Sequence, residues 1–316
     1  MLGTRREALP GFEGATGWLN SEPLTPESLL GKVVLVDFWT YTCINWLRTL
    51  GYVRAWWERY ESQGLVVVGV HTPEFPFERD VENIREAARE MRVEYPIAID
   101  SDYDVWRAFD NHYWPAVYVA DAEGRIQHHH FGEGGYEECE HVIQRLLGVE
   151  DGLVSVADEG FEAQADWANL ESPETYLGYE QAQSFAGDAA FDRPHEHVVP
   201  EPLNLNEWAL GGNWTIGPGA SVVNEAGGRV AFRFHARDVN LVMGPPARGE
   251  SAPFRVLVDG EPPGDAHGLD VDGQGRGALS QQRLHQLIRE PGSAADRTFE
   301  IVFEAPGAEV YCFTFG

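Results

Sequence analysis

Cys43 is the residue of this chain whose type and position best suit it for chemistry. It follows the apolar run Val33–Val36 and an aromatic turn, and it directly precedes a segment predicted to be helical from Ile44 to about Tyr60. A cysteine at the start of a helix faces unpaired backbone N–H groups and the positive end of the helix dipole. Both features favour the thiolate over the thiol, so the spacing predicts a reactive cysteine.

Asp37 and Pro115 lie on or next to predicted strands of the same domain. Asp37 lies on the predicted buried strand, six residues before Cys43. Burial disfavours the charged carboxylate, so we expect the pKa of Asp37 to be raised. Pro115 follows Trp114 and opens another predicted strand, a position that a proline can occupy.

The residues around Cys43 resemble a known family. Val-Asp-Phe-Trp (36–39), followed by a cysteine six residues after the aspartate, resembles the active-site strand and turn of the thioredoxin superfamily. Tyr-Thr-Cys-Ile-Asn (41–45), His-Thr-Pro-Glu-Phe (71–75) and Tyr-Trp-Pro-Ala (113–116) resemble the TlpA/DipZ-type thiol–disulfide proteins, in which a thioredoxin-like domain is joined to a carbohydrate-binding-like β-domain. The resemblance covers nearly the whole chain, but Trp46 stands where the family has its second cysteine.

The resemblance implies roles for several residues. Asp37 would help to move protons during disulfide exchange. Pro115 would be a cis-proline whose loop faces the sulfur, beside which an extended substrate peptide could pair with the backbone. The resemblance thus gives a catalytic set of Cys43, Asp37 and Pro115. Trp39, Trp46 and Trp114 are candidate substrate contacts.

Trp46 limits the mechanism. A dithiol enzyme attacks with its first cysteine and leaves the mixed disulfide with its second, within one molecule. With Trp46 present, three hypotheses stay open. The favoured one is monothiol exchange through Cys43 on protein or small-molecule disulfides, resolved by an external thiol such as glutathione. The second is a redox-inactive scaffold for protein or glycan recognition, with Trp46 as an aromatic contact surface. The third is a one-cysteine peroxidase, because Thr40-x-x-Cys43 matches half of the peroxiredoxin pattern, although Val36 replaces its proline.

Histidines and the other cysteines are weaker candidates. His128, His129 and His130 are consecutive on a predicted strand, so His128 and His130 share one face, and a solvated hairpin strand is favoured over a metal site. His71 and His112 are expected near the rim of the active site, where either could polarise Cys43. Cys139 and Cys312 are expected to be small buried side chains rather than redox groups.

The elements of the first part alternate between strand and helix. Strands are predicted at 33–36, 65–70, 95–99, 116–120 and 125–131, and helices at 44–60, 78–92, 103–109 and 137–147. Such alternation, ending in a hairpin, predicts an α/β thioredoxin-like fold with a mixed sheet flanked by helices over residues 1–149.

An acidic stretch at 150–169 is predicted to link this domain to a second one at 170–316. Residues 186–202 are predicted to be loop. Beyond them come strands at 214–216, 221–224, 229–235, 239–243, 254–258, 283–289, 297–303 and 310–315. Many short strands with turn residues between them predict an all-β sandwich, jelly-roll-like, which agrees with the carbohydrate-binding-module-like domain of the resemblance.

The sequence leaves undecided which residues of the second domain, if any, bind a ligand. Glycan binding would need exposed aromatic platforms, for which Tyr176, Tyr179, Trp208 and Trp214 are candidates, although such residues are usually part of the core. Asp270 and Asp272 resemble part of a calcium loop, but a hairpin turn explains them equally well. We expect no metal and no cofactor, because neither domain contains a P-loop or a dinucleotide fingerprint.

Composition restricts the partners and the location. A chain of 316 residues suggests two domains, and its net charge of −28 opposes binding to nucleic acid and to anionic membranes. No apolar run is long enough to span a bilayer, so membrane insertion is not expected. The arginine pair at residues 5 and 6 is not followed by an apolar stretch, so no signal peptide is predicted. We expect a cytoplasmic location, or an extracytoplasmic one if the chain is a shortened form.

Overall fold

The computed structural model describes residues 8–157 and 160–316 and divides into two compact units, Met1–Ala163 and Gln164–Gly316. Residues 1–7, which include the arginine pair at 5 and 6, and residues 158 and 159 of the predicted linker lie outside the described residues. The expectation that no signal peptide is present concerns the first of these stretches. The division between the units falls within the predicted linker.

The first unit alternates strands and helices. Its strands are β1 (Gly17–Leu19), β2 (Val33–Trp39), β3 (Leu65–His71), β4 (Ile97–Ile99), β5 (Ala116–Ala120) and β6 (Ile126–Phe131). Its helices are α1 (Pro26–Leu29), α2 (Ile44–Tyr60), α3 (Val81–Glu90), α4 (Asp104–Ala108) and α5 (Tyr136–Leu147).

These strands form one mixed sheet in the order β1-β4-β3-β2-β5-β6. β2 runs parallel to β3 and antiparallel to β5, and every residue of β2 is buried. A central strand covered on both faces is apolar along its length, which is why its one acidic residue, Asp37, stands out. The predicted α/β thioredoxin-like fold is therefore confirmed.

The predicted helices of the first unit agree with the structure to within one residue at each end, except one. The helix predicted at 78–92 is α3, from Val81 to Glu90, preceded by a 3-10 turn at Pro76–Arg79. The Asp80 side chain accepts a hydrogen bond from the Glu82 N–H and caps α3, so the helix begins after Asp80.

The second unit is all-β in its described residues. Its strands are β7 (Thr175–Tyr176), β8 (His195–His197), β9 (Trp208–Ile216), β10 (Ser221–Val223), β11 (Arg229–His235), β12 (Asp238–Gly244), β13 (Ala252–Val258), β14 (Arg276–Leu279), β15 (Arg283–Arg289), β16 (Asp296–Phe303) and β17 (Glu309–Phe315).

Two antiparallel sheets pack face to face in this unit and share β9. The first half of β9 pairs with β11 and the second half with β10, with Gly212 at a φ of 87° between them. The ring of Phe313 on β17 lies 5.2 Å from that of Phe232 on β11 and 5.6 Å from that of Phe299 on β16, so both sheets contribute to one apolar core. The predicted β-sandwich is confirmed.

The prediction for this unit missed β7 and β14 and is wrong in two further details. Residues 186–202, predicted to be loop, contain β8, which pairs with β9. β9 begins at Trp208 rather than Trp214, because Gly211 and Gly212 allow the strand to bend without ending.

Candidate functional site

Cys43 lies at the end of the turn that connects β2 to α2. After the turn at 40–42, the Cys43 N–H donates to the Thr40 carbonyl (3.2 Å), and the Cys43 carbonyl accepts from the Leu47 N–H (3.0 Å). Cys43 is therefore the N-cap residue of the 17-residue helix α2, and its side chain is partly exposed. The sulfur lies at the end of the helix where backbone N–H groups lack helical partners, as predicted.

The Trp114–Pro115 loop lies against the sulfur. The peptide bond between these residues is cis, as the resemblance implied. The Cys43 Sγ lies 3.8 Å from the Trp114 carbonyl oxygen. The Trp114 ring packs on that of Trp106 with 4.4 Å between centroids, and the Pro115 carbonyl accepts from the Gly132 N–H (2.8 Å), so the loop is held on both sides.

Trp46 is buried beneath this turn. Its ring stacks on that of Trp39 with 4.4 Å between centroids, and both residues have 0% exposure. The Trp46 Nε1–H donates to Asp37 Oδ2 (2.9 Å). Neither Trp39 nor Trp46 presents a surface to a substrate, so their predicted role as substrate contacts, and that of Trp46 as an aromatic contact surface, is wrong for this structure. Trp114, which is half-buried beside the sulfur, keeps its place as a candidate.

Asp37 is fully buried, as predicted. Burial raises the pKa of Asp37 to about 7, although the hydrogen bonds from Trp46 and Tyr95 favour the carboxylate. The Tyr95 hydroxyl lies 3.4 Å from Oδ2, whereas Oδ1 has no hydrogen-bond partner among the described residues. Asp37 therefore changes charge close to neutral pH.

Glu78 is a residue of the site that the sequence reasoning did not identify. It is fully buried; its Oε1 accepts from the Thr42 hydroxyl (2.6 Å), and its Oε2 accepts from the N–H groups of Glu74 (2.6 Å) and Phe75 (2.9 Å). Burial raises the pKa of Glu78. The carboxyl thus joins the segment after β3 to the residue immediately before Cys43. An Asp or Ser three residues before Glu78, at the N-cap of the 3-10 turn, would have indicated that the Glu78 carboxyl bonds to the backbone there. That position holds Phe75.

The two histidines predicted at the rim behave differently. His71 is fully buried between the rings of Tyr41 (5.6 Å) and Trp39 (4.8 Å), and burial lowers the pKa of its imidazole to about 3. The rim prediction is therefore wrong for His71, which stays neutral. His112 is exposed, with Nε2 3.4 Å from Asp110 Oδ1.

Cys139 and Cys312 are both buried, with 2% and 1% exposure. Burial raises the pKa of the Cys139 thiol to about 12. Cys43 is consequently the cysteine of this chain that solvent reaches.

The aromatic candidates of the second unit are mostly core residues. Trp208 and Trp214 have 1% and 0% exposure, and their Nε1–H groups donate to the carbonyls of Gln183 and Gly211. The prediction of glycan platforms at these two tryptophans is wrong. Tyr176 and Tyr179 are half-buried, and Tyr179 packs beside Phe191 with 4.9 Å between centroids.

Asp270, Asp272 and His130 make local polar contacts, whereas the His128 Nε2 has no hydrogen-bond partner among the described residues. Asp270 accepts from Arg283 Nη2 (2.5 Å) and from the Gln286 N–H (2.8 Å), and Asp272 Oδ1 accepts from two backbone N–H groups in its turn. His130 contacts the carbonyl oxygen of Glu133 (3.2 Å). Over residues 8–157 and 160–316, no group of three or more His, Cys, Asp or Glu side chains is arranged to hold a metal ion.

The helices differ from membrane-spanning segments. None in the described part of the chain has both the length and the apolar character needed to cross it.

Comparison with known proteins gives matches to both units. Residues 6–129 match the AhpC/TSA family, and residues 172–316 match the thioredoxin-like C-terminal domain. Protein DipZ of Mycobacterium bovis and of Mycobacterium tuberculosis is 33% identical over 313 residues, covering 97% of this chain and 42% of DipZ. The chain thus spans about two fifths of the length of these relatives.

A shorter relative matches the first unit. The thiol-disulfide oxidoreductase YkuV of Bacillus subtilis is 36% identical over 143 residues, covering 45% of this chain and 95% of YkuV. A solved thioredoxin-like protein in its oxidized form is 35% identical, with a TM-score of 0.42, covering 46% of this chain and 98% of that one.

Proposed function

Because this chain belongs to the thioredoxin-like family represented by DipZ and YkuV, we propose that it is a thiol–disulfide oxidoreductase that works through Cys43 alone. The observation that carries the proposal is the position of Cys43. It is a partly exposed thiol at the N-terminus of a long helix, 3.8 Å from the carbonyl of the cis-proline loop. Unpaired N–H groups at a helix N-terminus favour the thiolate, which is the attacking species.

Cys43 takes part in two exchange steps, and a third exchange completes the reduction. In the first, the Cys43 thiolate attacks a disulfide of a protein or small molecule, forms a new S–S bond to one sulfur and releases the other as a thiolate. In the second, an external thiolate attacks this mixed disulfide and frees Cys43, so that the substrate sulfur now carries the external thiol. A second external thiol completes net reduction of the substrate and leaves the external thiol as its disulfide. A proton from solvent neutralises each released thiolate.

An external thiol is required because the position of a second cysteine is filled. Trp46 is packed against Trp39 and hydrogen-bonded to Asp37, and Cys139 and Cys312 are buried. The name of YkuV states thiol-disulfide oxidoreductase activity, which supports this class of reaction for the matching unit.

The experiment is turnover of a mixed disulfide with glutathione as the external thiol. Wild type, Cys43→Ser and the matched control Cys139→Ser, which removes a buried thiol, are compared. We expect turnover in wild type and in the control, and none in Cys43→Ser. Mass spectrometry should find one half of the substrate disulfide joined to Cys43.

Trp46→Cys separates loss of chemistry from loss of geometry. If wild type is inert and Trp46→Cys is active, the fold retains redox geometry but this chain does not use it, and the proposal fails. Equal turnover in wild type and Cys43→Ser would place any activity elsewhere and would also overturn the proposal.

A further inference from the structure

Trp46 occupies a defined place relative to Cys43 and Asp37. It lies three residues after Cys43 on α2, so both side chains lie on the same face of the first helical turn. From that face its indole reaches the floor of the site, where its Nε1–H donates to Asp37 Oδ2 (2.9 Å). The stacked ring of Trp39 fixes the plane of the indole.

We infer that Trp46 is a positioning residue that holds the Asp37 carboxyl through its indole N–H and sets the pH at which this buried acid ionises beneath Cys43. The role of Trp46 in catalysis rests on the proposed function, whereas the experiment below measures the ionisation of Asp37 and does not depend on that function.

In this hydrogen bond Trp46 is always the donor and Asp37 always the acceptor. An indole N–H donates a hydrogen bond but neither accepts one nor exchanges its proton as an acid near neutral pH. Asp37 therefore has a partner that stabilises its charged form and cannot relay its proton along α2. The other donor, the Tyr95 hydroxyl, is at 3.4 Å and contributes a longer contact to the same oxygen. The indole N–H is consequently the main group on the described part of the chain that offsets the burial of the carboxylate.

The ionisable groups around Asp37 keep a constant charge across neutrality. Burial raises the pKa of Tyr95, raises that of Cys139 on α5 to about 12 and lowers that of His71 on β3 to about 3. All three stay neutral between about pH 5 and 9, whereas the pKa of Asp37 lies at about 7. Among these buried groups, a charge change near neutral pH therefore belongs to Asp37.

Proton transfer in the proposed exchange follows from this arrangement. Because Trp46 cannot carry a proton, the thiolates released at Cys43 take theirs from solvent. Once Asp37 is ionised, its carboxylate opposes a negative charge on the Cys43 sulfur. The pH profile of Cys43 alkylation should therefore show a second inflection at the pH where Asp37 ionises.

The test follows the Asp37 carboxyl by NMR in the full chain. Aspartate is labelled with 13C at the side-chain carboxyl, and the Asp37 resonance is assigned by its loss in Asp37→Asn. Three proteins are titrated: wild type, Trp46→Phe, and the matched control Trp39→Phe, which removes the other indole N–H of the same stacked pair. The Trp39 N–H has no hydrogen-bond partner among the described residues, so the control replaces an indole by a phenyl ring without removing a donor to Asp37.

We expect Trp46→Phe to raise the Asp37 midpoint by about one to two pH units, the equivalent of losing one hydrogen bond to a charged group. Trp39→Phe should move it by clearly less. An unchanged midpoint in Trp46→Phe, or an equal shift in Trp39→Phe, would overturn the inference, since packing rather than the N–H would then control Asp37.

A second measurement serves if Trp46→Phe does not fold. In wild type, the Trp46 indole N–H resonance should titrate with the same midpoint as the Asp37 carboxyl, and this titration should vanish in Asp37→Asn. An indole resonance that stays constant through the Asp37 titration contradicts the inference. Neither measurement depends on turnover: an inert protein with a titrating indole would overturn the proposed function only, and an active protein with a constant indole would overturn this inference only.

Discussion

Replacing Asp37 by asparagine should change how the stability of the first unit depends on pH. The pKa of Asp37 in the folded chain is about 7, against an ordinary value of 3.8. Between these values the folded state binds the proton that the unfolded state has released. The Asp37 contribution to folding stability is therefore fully present below about pH 4 and is lost as the pH rises through about 7.

The size of this effect follows from the two pKa values. Their difference, at 1.36 kcal/mol for each pH unit, corresponds to a penalty of about 4 kcal/mol once Asp37 is ionised. Roughly 3 kcal/mol of it develops between pH 5 and pH 8, because pH 5 is already above the ordinary pKa. Asparagine carries no charge, so the free energy of unfolding of Asp37→Asn relative to wild type should rise by that amount over the same range.

Urea unfolding at pH 5 and pH 8 measures this difference. Most of the ten tryptophans precede residue 163, so intrinsic fluorescence reports mainly on the first unit. Glu123→Gln, which removes an exposed carboxylate from a turn of the same unit, is the control and should show no such trend. A relative stability of Asp37→Asn that is constant with pH, or that falls between pH 5 and pH 8, would refute the reasoning that burial dominates the energetics of Asp37.

Three further changes test other parts of the structure. Glu133→Gln removes the carboxylate 3.1 Å from the buried Arg48 guanidinium and should lower the free energy of unfolding by about 3 kcal/mol or more; a loss below 1 kcal/mol would contradict a buried ion pair. Burial lowers the pKa of His285 to about 3, so the free energy of unfolding falls as the pH drops below about 6.5. Between pH 7 and pH 4, His285→Gln should therefore lose about 3 kcal/mol less of this free energy than wild type. Equal losses in the two proteins would exclude His285 as the cause. Gly69→Ala places a Cβ 2.9 Å from the Trp39 Nε1 and should cost about 1–3 kcal/mol in urea unfolding, with a changed near-UV spectrum; a neutral result would mean that the tryptophan moves freely.

The sequence predicted the elements whose signals are local. Helix α2 was predicted with both of its ends, because an apolar strand, a turn and a helical period follow one another without interruption. β5 was predicted with both ends for a similar reason. The place of Cys43 follows directly from these two kinds of pattern.

The contacts within the site depend on tertiary packing, so they could not be predicted from the sequence. Asp37 and Trp46 are nine residues apart on a strand and a helix, and the hydrogen bond between them depends on the angle at which α2 crosses the sheet. Glu78 is further from Cys43 along the chain and binds through a loop, for which no periodic signal exists. Tryptophans are equally compatible with a surface platform and with a core, so Trp214 could not be placed before the sandwich was known.

The Glu78 carboxyl also links the turn before Cys43 to the backbone at Glu74 and Phe75, so an opening that releases this carboxyl would affect both segments. The amide hydrogens of Glu74 and Phe75 are bonded to one oxygen of Glu78, and the hydroxyl of Thr42 to the other. Opening events that release the carboxyl expose these amides to exchange with solvent deuterons. Their exchange rates therefore report how often the cysteine-bearing turn loosens, in a protein at rest and without any probe attached to the sulfur.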